Sequence, residues 1–298
     1  MQVARRVAFA IKRPSQECRG RLPWGSSIAY DPNETVGTAI GRRGVFDLLV
    51  CETLVRLADS GETSLDVGAN IGQMTSALAD AVGPTGLVIA FEPHPVVFDR
   101  LVQNVRVWTD RPATSRISLR HVAVSDREGT ATLVSGYFDV NQGSASLEQP
   151  DQTKTAVNTH VVPIQRLDSV VGAATMVGVM KIDIEGHELM ALKGAAAMLS
   201  AGCIRDIVFE EQRDPPTAVT QLLEEQGYTI LRLSERLLGP SVCTLDQHIY
   251  GRVGRGDDRN LLATRAPERA IRRLAVRGWA IYGAGPARRF RRRIPTQS

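Results

Sequence analysis

From Ser64 onward the chain alternates short apolar runs with amphipathic stretches, and this rhythm restricts its architecture more than any other feature. Ser64–Val67, Leu87–Phe91, Ile117–Val124, Val179–Ile184 and Asp206–Phe209 have the length and apolar character of strands. Gln73–Val82, Pro95–Arg106, Glu188–Leu199 and Thr217–Gln226 carry apolar residues at helical spacing, and Gly202 and Gly227 follow two of them as stops. An earlier helix is expected over Val45–Ala58. Strand and helix in this order predict an α/β fold built on a mainly parallel, doubly wound sheet. The rhythm pauses between residues 129 and 171, where Thr130–Val134 and His160–Leu167 read as extra strands around a polar loop, 139–155. Thr229–Leu233 and Leu261–Thr264 are expected to supply antiparallel edge strands.

Of 298 residues, 43% are apolar and 23% charged, a balance that supports a packed core and excludes a disordered or collagen-like chain. No apolar run reaches the roughly 18 residues of a membrane span. The apolar stretch among Arg5, Arg6, Lys12 and Arg13 falls short of the roughly 7–15 residues of a signal peptide. Cys18, Cys51, Cys203 and Cys243 are widely spaced, which suits reduced thiols in a cytoplasmic protein. The net charge of +4 is unevenly spread: residues 252–298 hold 13 Arg against Asp257, Asp258 and Glu268. The body is therefore mildly acidic and the tail strongly basic.

The sharpest chemical signal is DVGANIG, Asp66 to Gly72, which closes an expected strand and opens an expected helix. In a parallel sheet that turn lies at the carboxyl edge, where such folds bind ligands. Gly68 and Gly72 permit a tight turn and a close backbone approach, and the helix start offers N–H groups. Glu92, ending the next strand, is placed to accept hydrogen bonds from the vicinal hydroxyls of a ribose. A dinucleotide fingerprint needs G-x-G-x-x-G, whereas here the spacing is G-x-x-x-G with Asp66 directly ahead. An acidic entry repels a pyrophosphate but suits a donor carrying an ammonium and a sulfonium. S-adenosylmethionine fits this loop and NAD fits it badly.

DVGANIG, FEPHPVVFDRLVQN (Phe91–Asn104), HVAVSD (His121–Asp126), VPIQRLD (Val162–Asp168), KIDIEGHELMALKGA (Lys181–Ala195) and IVFE (Ile207–Glu210) occur in the order typical of another known group. In these six blocks the chain resembles FkbM-type methyltransferases over about residues 44–235. The resemblance implies a class I, Rossmann-like methyltransferase that uses S-adenosyl-L-methionine, usually on hydroxyls of sugars or polyketides. By motif match, Asp66, Gly68, Ala69, Asn70 and Gly72 would surround the methionine and ribose of the donor. Glu92 would hold the ribose, and Ala123 with nearby Asp126 would border the adenine. The chain then divides into an N-terminal extension, 1–43, a methyltransferase domain, 44–265, and an Arg-rich tail, 266–298.

KIDIEGHE, Lys181 to Glu188, ends the fourth strand of the alternation, and strand geometry puts Lys181, Asp183 and Glu185 on one side for as long as the chain stays extended. Methyl transfer asks the protein to align an acceptor oxygen and exclude water, and a base for the hydroxyl proton adds about 10²–10⁴-fold. Asp183 is the first candidate, with Glu185 and His187 behind it; for Asp183 the plain alternative is a helix cap, and His187 reads better as a helix-start residue than as a base. These acids also have metal-ligand chemistry, but acidic strand ends are commonplace and no metal is expected. Glu210 and Glu211 would line the acceptor pocket or stand as solvated loop carboxylates, and Asn141-Gln142-Gly143-Ser144 would fold over the acceptor or stay a surface loop. Asp214-Pro215-Pro216-Thr217 imitates a nucleobase-methylation motif but follows the wrong strand and reads as a helix start. The tail from Pro267 reads as a solvated extension; its alternative is a cationic helix touching an anionic membrane at the inner face.

The expected activity is O-methylation of a small molecule, glycan or glycolipid precursor. The rivals are an RNA methyltransferase, disfavoured because the tail offers few aromatics for stacking, and a non-catalytic membrane module of the same fold.

Overall fold

A computed structural model describes residues 17–109, 115–135, 158–247 and 259–282. The polar loop 139–155 with its Asn141–Ser144 patch, and the arginines Arg288–Arg293, lie outside the described residues.

Five strands form the parallel centre: β3 (Thr63–Val67), β4 (Leu87–Phe91), β5 (Arg116–Arg120), β9 (Val177–Ile182) and β10 (Ile204–Glu210). Three antiparallel strands extend it: β11 (Thr229–Arg236), β12 (Gly239–Thr244) and β13 (Asn260–Thr264). The sheet order is β12-β11-β13-β10-β9-β3-β4-β5. The expected α/β, Rossmann-like, doubly wound architecture is therefore the one adopted. From β3 the chain winds outward through β4 and β5, then returns to lay β9 and β10 on the other side. The β3–β9 junction is thus a topological switch point, where open α/β sheets leave a ligand crevice.

Alternate strand residues feed two cores. Val88, Ala90, Val179 and Val208 face α2 (Leu48–Leu57), α3 (Gln73–Val82) and α4 (Pro95–Thr109). Ile89, Phe91, Met180 and Ile207 face α5 (Glu188–Lys193), α6 (Ala196–Ser200) and α7 (Ala218–Glu225) on the opposite side. The parallel strands are apolar on both faces because both are covered. A smaller sheet, β6 (Ala123–Val124), β8 (Asn158–Gln165) and β7 (Gly129–Ser135), packs Ala123, Leu133, Val162 and Ile164 together.

Several expectations are corrected. The run 117–124 is two strands in two sheets, parting at His121–Val122. The helix expected over 188–199 breaks at Gly194, where a side chain would overlap the Ser125 carbonyl, and Asp168 accepts from the Ala197 and Met198 amides to start α6. β13 is interior, lying between β10 and β11, and the edge is β12, which the sequence did not reveal. Its hairpin turns through Leu237 and Leu238, exposed leucines that carry no turn signal.

The core also crosses both expected domain boundaries. Hairpin β1 (Cys18–Arg21) and β2 (Ser27–Tyr30), with α1 (Thr35–Arg43), adds Leu22, Trp24, Ile28 and Ile40 to it. At the other end the solvated extension is not what residues 267–274 form. They make α8 (Pro267–Leu274), whose Ala270 and Leu274 are buried and whose Arg269 and Arg273 pair with Asp59 at 2.6 Å each. Among the described residues no helix is long and apolar enough to cross a membrane.

Candidate active site

The DVGANIG loop follows β3 at the switch point, and the protein's own packing requires both of its glycines. Gly68 has φ +78°, and a Cβ there would overlap the Asp183 main-chain carbonyl. Gly72, at φ +93°, would meet Leu101 Cδ1 at 2.6 Å. The absent side chains let the β9 end and α4 close against the loop. Asn70 also takes the left-handed region, φ 52°, where its Oδ1 accepts from the Ile71 amide at 2.7 Å.

Asp66 is fully buried beneath the loop. Its Oδ2 accepts from Thr75 Oγ1 at 2.6 Å, and Lys181 Nζ stands 3.5 Å from its Oδ1. The Lys181 ammonium donates to the Gly68 carbonyl at 2.7 Å and lies 3.6 Å from Asp183 Oδ2. Burial alone would lower this lysine's pKa, but Asp183, Asp66 and Glu92 outweigh it and hold it above the ordinary value. Lys181 therefore joins the loop to the β9 end. Sequence reasoning placed Lys181 on the right face without giving it this function, and it missed Thr75 because only the helix turn brings that hydroxyl back to Asp66.

Glu92 ends β4 as expected and is almost completely enclosed. Its Oε2 accepts from the Asn70 amide and its Oε1 from the His94 amide, both at 2.9 Å. Burial raises its pKa to about 7, with the two amides and Lys181 opposing the rise. Ala123 is buried on β6, and Asp126 lies just beyond, within 3.2 Å of Ser125 Oγ.

A cavity of about 300 Å³ opens at the carboxyl edge; no residue of Asp66–Gly72 lines it, and Lys181, bonded to the Gly68 carbonyl, connects it to the loop. Phe46, Val50, Met74 and Phe209 give it apolar walls, and Lys181, Asp183 and Glu185 enter from the β9 end. Glu185 is held at φ 54°, and its pKa is raised by burial and by Asp183 and Glu188. The structure thus brings Asp183 and Glu185 together and separates His187 from them. His187 stands at the N-terminus of α5 with Nε2 3.0 Å from Ser125 Oγ, and it does not line the cavity. Glu210 lines the cavity, and Glu211 lines a neighbouring one. Thr217 caps α7 through a box with Thr220, so the Asp214–Thr217 segment is a helix start.

The chain can now be set beside known proteins. The family described as the Methyltransferase FkbM domain matches residues 66–230, a span from the loop's first aspartate into β11. Hexuronic acid methyltransferase AglP of Haloferax volcanii is 30% identical, over 59% of this chain and 67% of its own length. Methyltransferase sdnD of Sordaria araneosa is 27% identical, over 56% of this chain and 74% of its own. A crystal structure of methyltransferase FkbM from Methylobacillus flagellatus KT is 21% identical with a TM-score of 0.44, covering 70% of this chain and 44% of that one. The chain thus spans under half the length of that solved structure. A family match over more than half of the sequence, from the end of β3 through β10, makes this chain a methyltransferase of the FkbM domain family.

Proposed function

We propose that this methyltransferase takes its methyl group from S-adenosylmethionine and transfers it to a hydroxyl of a glycan, glycolipid or polyketide-type acceptor. The observation that carries the reading is the meeting of Asp183 and Glu185 in one cavity with Lys181, which is bonded to Gly68 of the Asp66–Gly72 loop. The name of one relative, hexuronic acid methyltransferase, supports a glycan-type acceptor.

The donor suits the residues present. Asp66 Oδ1 is buried without a hydrogen bond, and Asp66 and Asp183 together outnumber Lys181, the lysine between them. Such a surplus of negative charge favours a cationic ligand. Each Glu92 oxygen takes one amide, leaving capacity for the ribose hydroxyls. The amides of Gly68 to Gly72 all donate within the protein, so the loop borders the methionine part by its shape rather than by free N–H groups. Ala123 and Asp126 border the adenine. When bound, the donor supplies an activated methyl on a sulfonium leaving group.

The chain's own residues do the rest. Phe46, Val50, Met74 and Phe209 keep water from the line of transfer. Asp183 accepts the hydroxyl proton as the oxygen attacks, and Glu185, poised by burial, orients the acceptor. His187 holds Ser125 and the start of α5 instead. Incubation with isotopically labelled donor and a panel of glycan and polyketide acceptors tests the assignment. Label is expected in a methyl ether that survives mild alkali; label in RNA, or in no acceptor, would overturn it.

A further inference from the structure

Beside the first cavity lies a second of about 260 Å³, and Arg259 lines both. The two differ in charge. Around the inner one, Asp47, Asp183, Glu185 and Glu210 face Lys181 and Arg259. Around the outer one, Arg213, Arg232 and Arg259 face Glu211 and Asp214. Glu211 is already engaged, one oxygen accepting from Thr217 Oγ1 at 2.6 Å and the other from the Arg213 amide. Asp214 is 82% exposed and lies 3.7 Å from Arg232.

The arginines converge because of strand register. Arg232 on β11 pairs with Leu261 on β13, and Arg259 lies two residues before Leu261. Arg259, in the turn that leads into β13, lines the outer cavity together with Arg232 and Leu261, which puts the two arginines within reach of one small ligand. Arg232 is 8% exposed and Arg259 about half exposed, 3.4 Å from Glu210. A nearly buried guanidinium beside a more open one matches the planar donor fork that carboxylates and phosphates bind.

We propose that the outer cavity is an anion subsite, and that the acceptor carries a carboxylate or phosphate seated between Arg232 and Arg259. This rests on the methyl-transfer reading of the inner cavity. The gradient gives direction: the acid walls around Asp183 repel an anionic end while the arginines attract it. The acceptor therefore enters with its neutral hydroxyl toward Asp183.

Calorimetry on the full chain tests the seat without requiring turnover. The probes are glucuronic acid, glucose 6-phosphate and glucose. At least one anionic probe is expected to bind tenfold or more tightly than glucose, with the preference shrinking at high salt. The better probe distinguishes carboxylate from phosphate. Because Arg232 supports the sheet, the variant used is Arg259→Gln, whose side chain is half exposed; it should bring the preferred anion to within about twofold of glucose. Equal binding of the three probes, no heat from any, or an unchanged preference in a folded Arg259→Gln variant overturns the subsite. S-adenosylhomocysteine is titrated separately: no heat from it, with the anion preference intact, would sink the donor assignment and leave the anion seat standing.

Discussion

The main-chain carbonyl of Asp183 fills the place where a Cβ of Gly68 would stand. This contact closes the gap between β3 and β9 at the switch point, and the Asp183 amide donates to the Val67 carbonyl at 3.2 Å beside it. Loop and candidate base are therefore one packing unit. The glycine that marks the family motif is needed at this point by the protein's own backbone.

Gly68→Ala should fail on both counts. The residue sits at φ +78°, which alone costs a non-glycine residue about 1–3 kcal/mol, and the new methyl must displace β9. Urea denaturation is expected to show a loss of about 2–4 kcal/mol, with S-adenosylhomocysteine affinity down at least tenfold. A variant of normal stability and affinity would mean that the two strand ends move apart freely.

Glu92 predicts opposite pH responses for folding and for binding. Its pKa, raised to about 7, means that the fold favours the protonated carboxyl. Stability from this group is full below the ordinary value near 4.5 and falls as pH rises toward 7, by on the order of 3 kcal/mol. Binding that uses the carboxylate as acceptor should strengthen over the same interval. Denaturation and S-adenosylhomocysteine titrations at pH 5 to 8 check both slopes, and Glu92→Gln should flatten the stability slope while weakening the ligand. Parallel slopes would refute the assignment.

Asp183 and His187 separate chemistry from scaffolding. Asp183→Asn should retain donor-product binding while turnover falls about 10²–10⁴-fold. His187→Ala removes a bond to Ser125 and should cost about 1 kcal/mol of stability with less than tenfold effect on turnover. Steady-state kinetics beside thermal melts read both, and a His187→Ala loss as large as that of Asp183→Asn would reverse their roles.

Local pattern carried much of this far, and its failures are long-range. The helix Gln73–Val82 and strand Leu87–Phe91 are found at the expected bounds because apolar period and glycine stops mark them. Asp183 and Glu185 were legible because a parallel strand delivers its C-terminal residues to the ligand edge. Thr75 under Asp66, the depth of Glu92 and the seat of His187 on Ser125, 62 residues away, depend on packing between elements that no local window contains. The C-terminal helix is the clearest case. Its arginines resemble a solvated run until Asp59 and Asp206, from distant parts of the chain, come beneath them.

That docking yields a last expectation at Arg56. Its guanidinium pairs with Glu52 at 2.7 Å, both side chains almost wholly buried, and donates to the carbonyls of Arg273, Leu274, Val276 and Gly278. Glu52 in turn accepts from the Ala280 and Ile281 amides at 2.8 and 2.9 Å. One buried ion pair thus fastens the segment after α8 to α2. Arg56→Met leaves Glu52 enclosed without its counter-charge and the four carbonyls without this donor, so a loss of about 3–5 kcal/mol is expected. The double variant Arg56→Met with Glu52→Gln should recover part of it, because the stranded charge is gone. Denaturant midpoints of both single variants and the double variant measure the coupling, and strictly additive losses would show that the pair acts only as separate bonds. Deleting residues 266–298 should be at least as damaging as Arg56→Met, because it also removes Arg269 and Arg273 from Asp59.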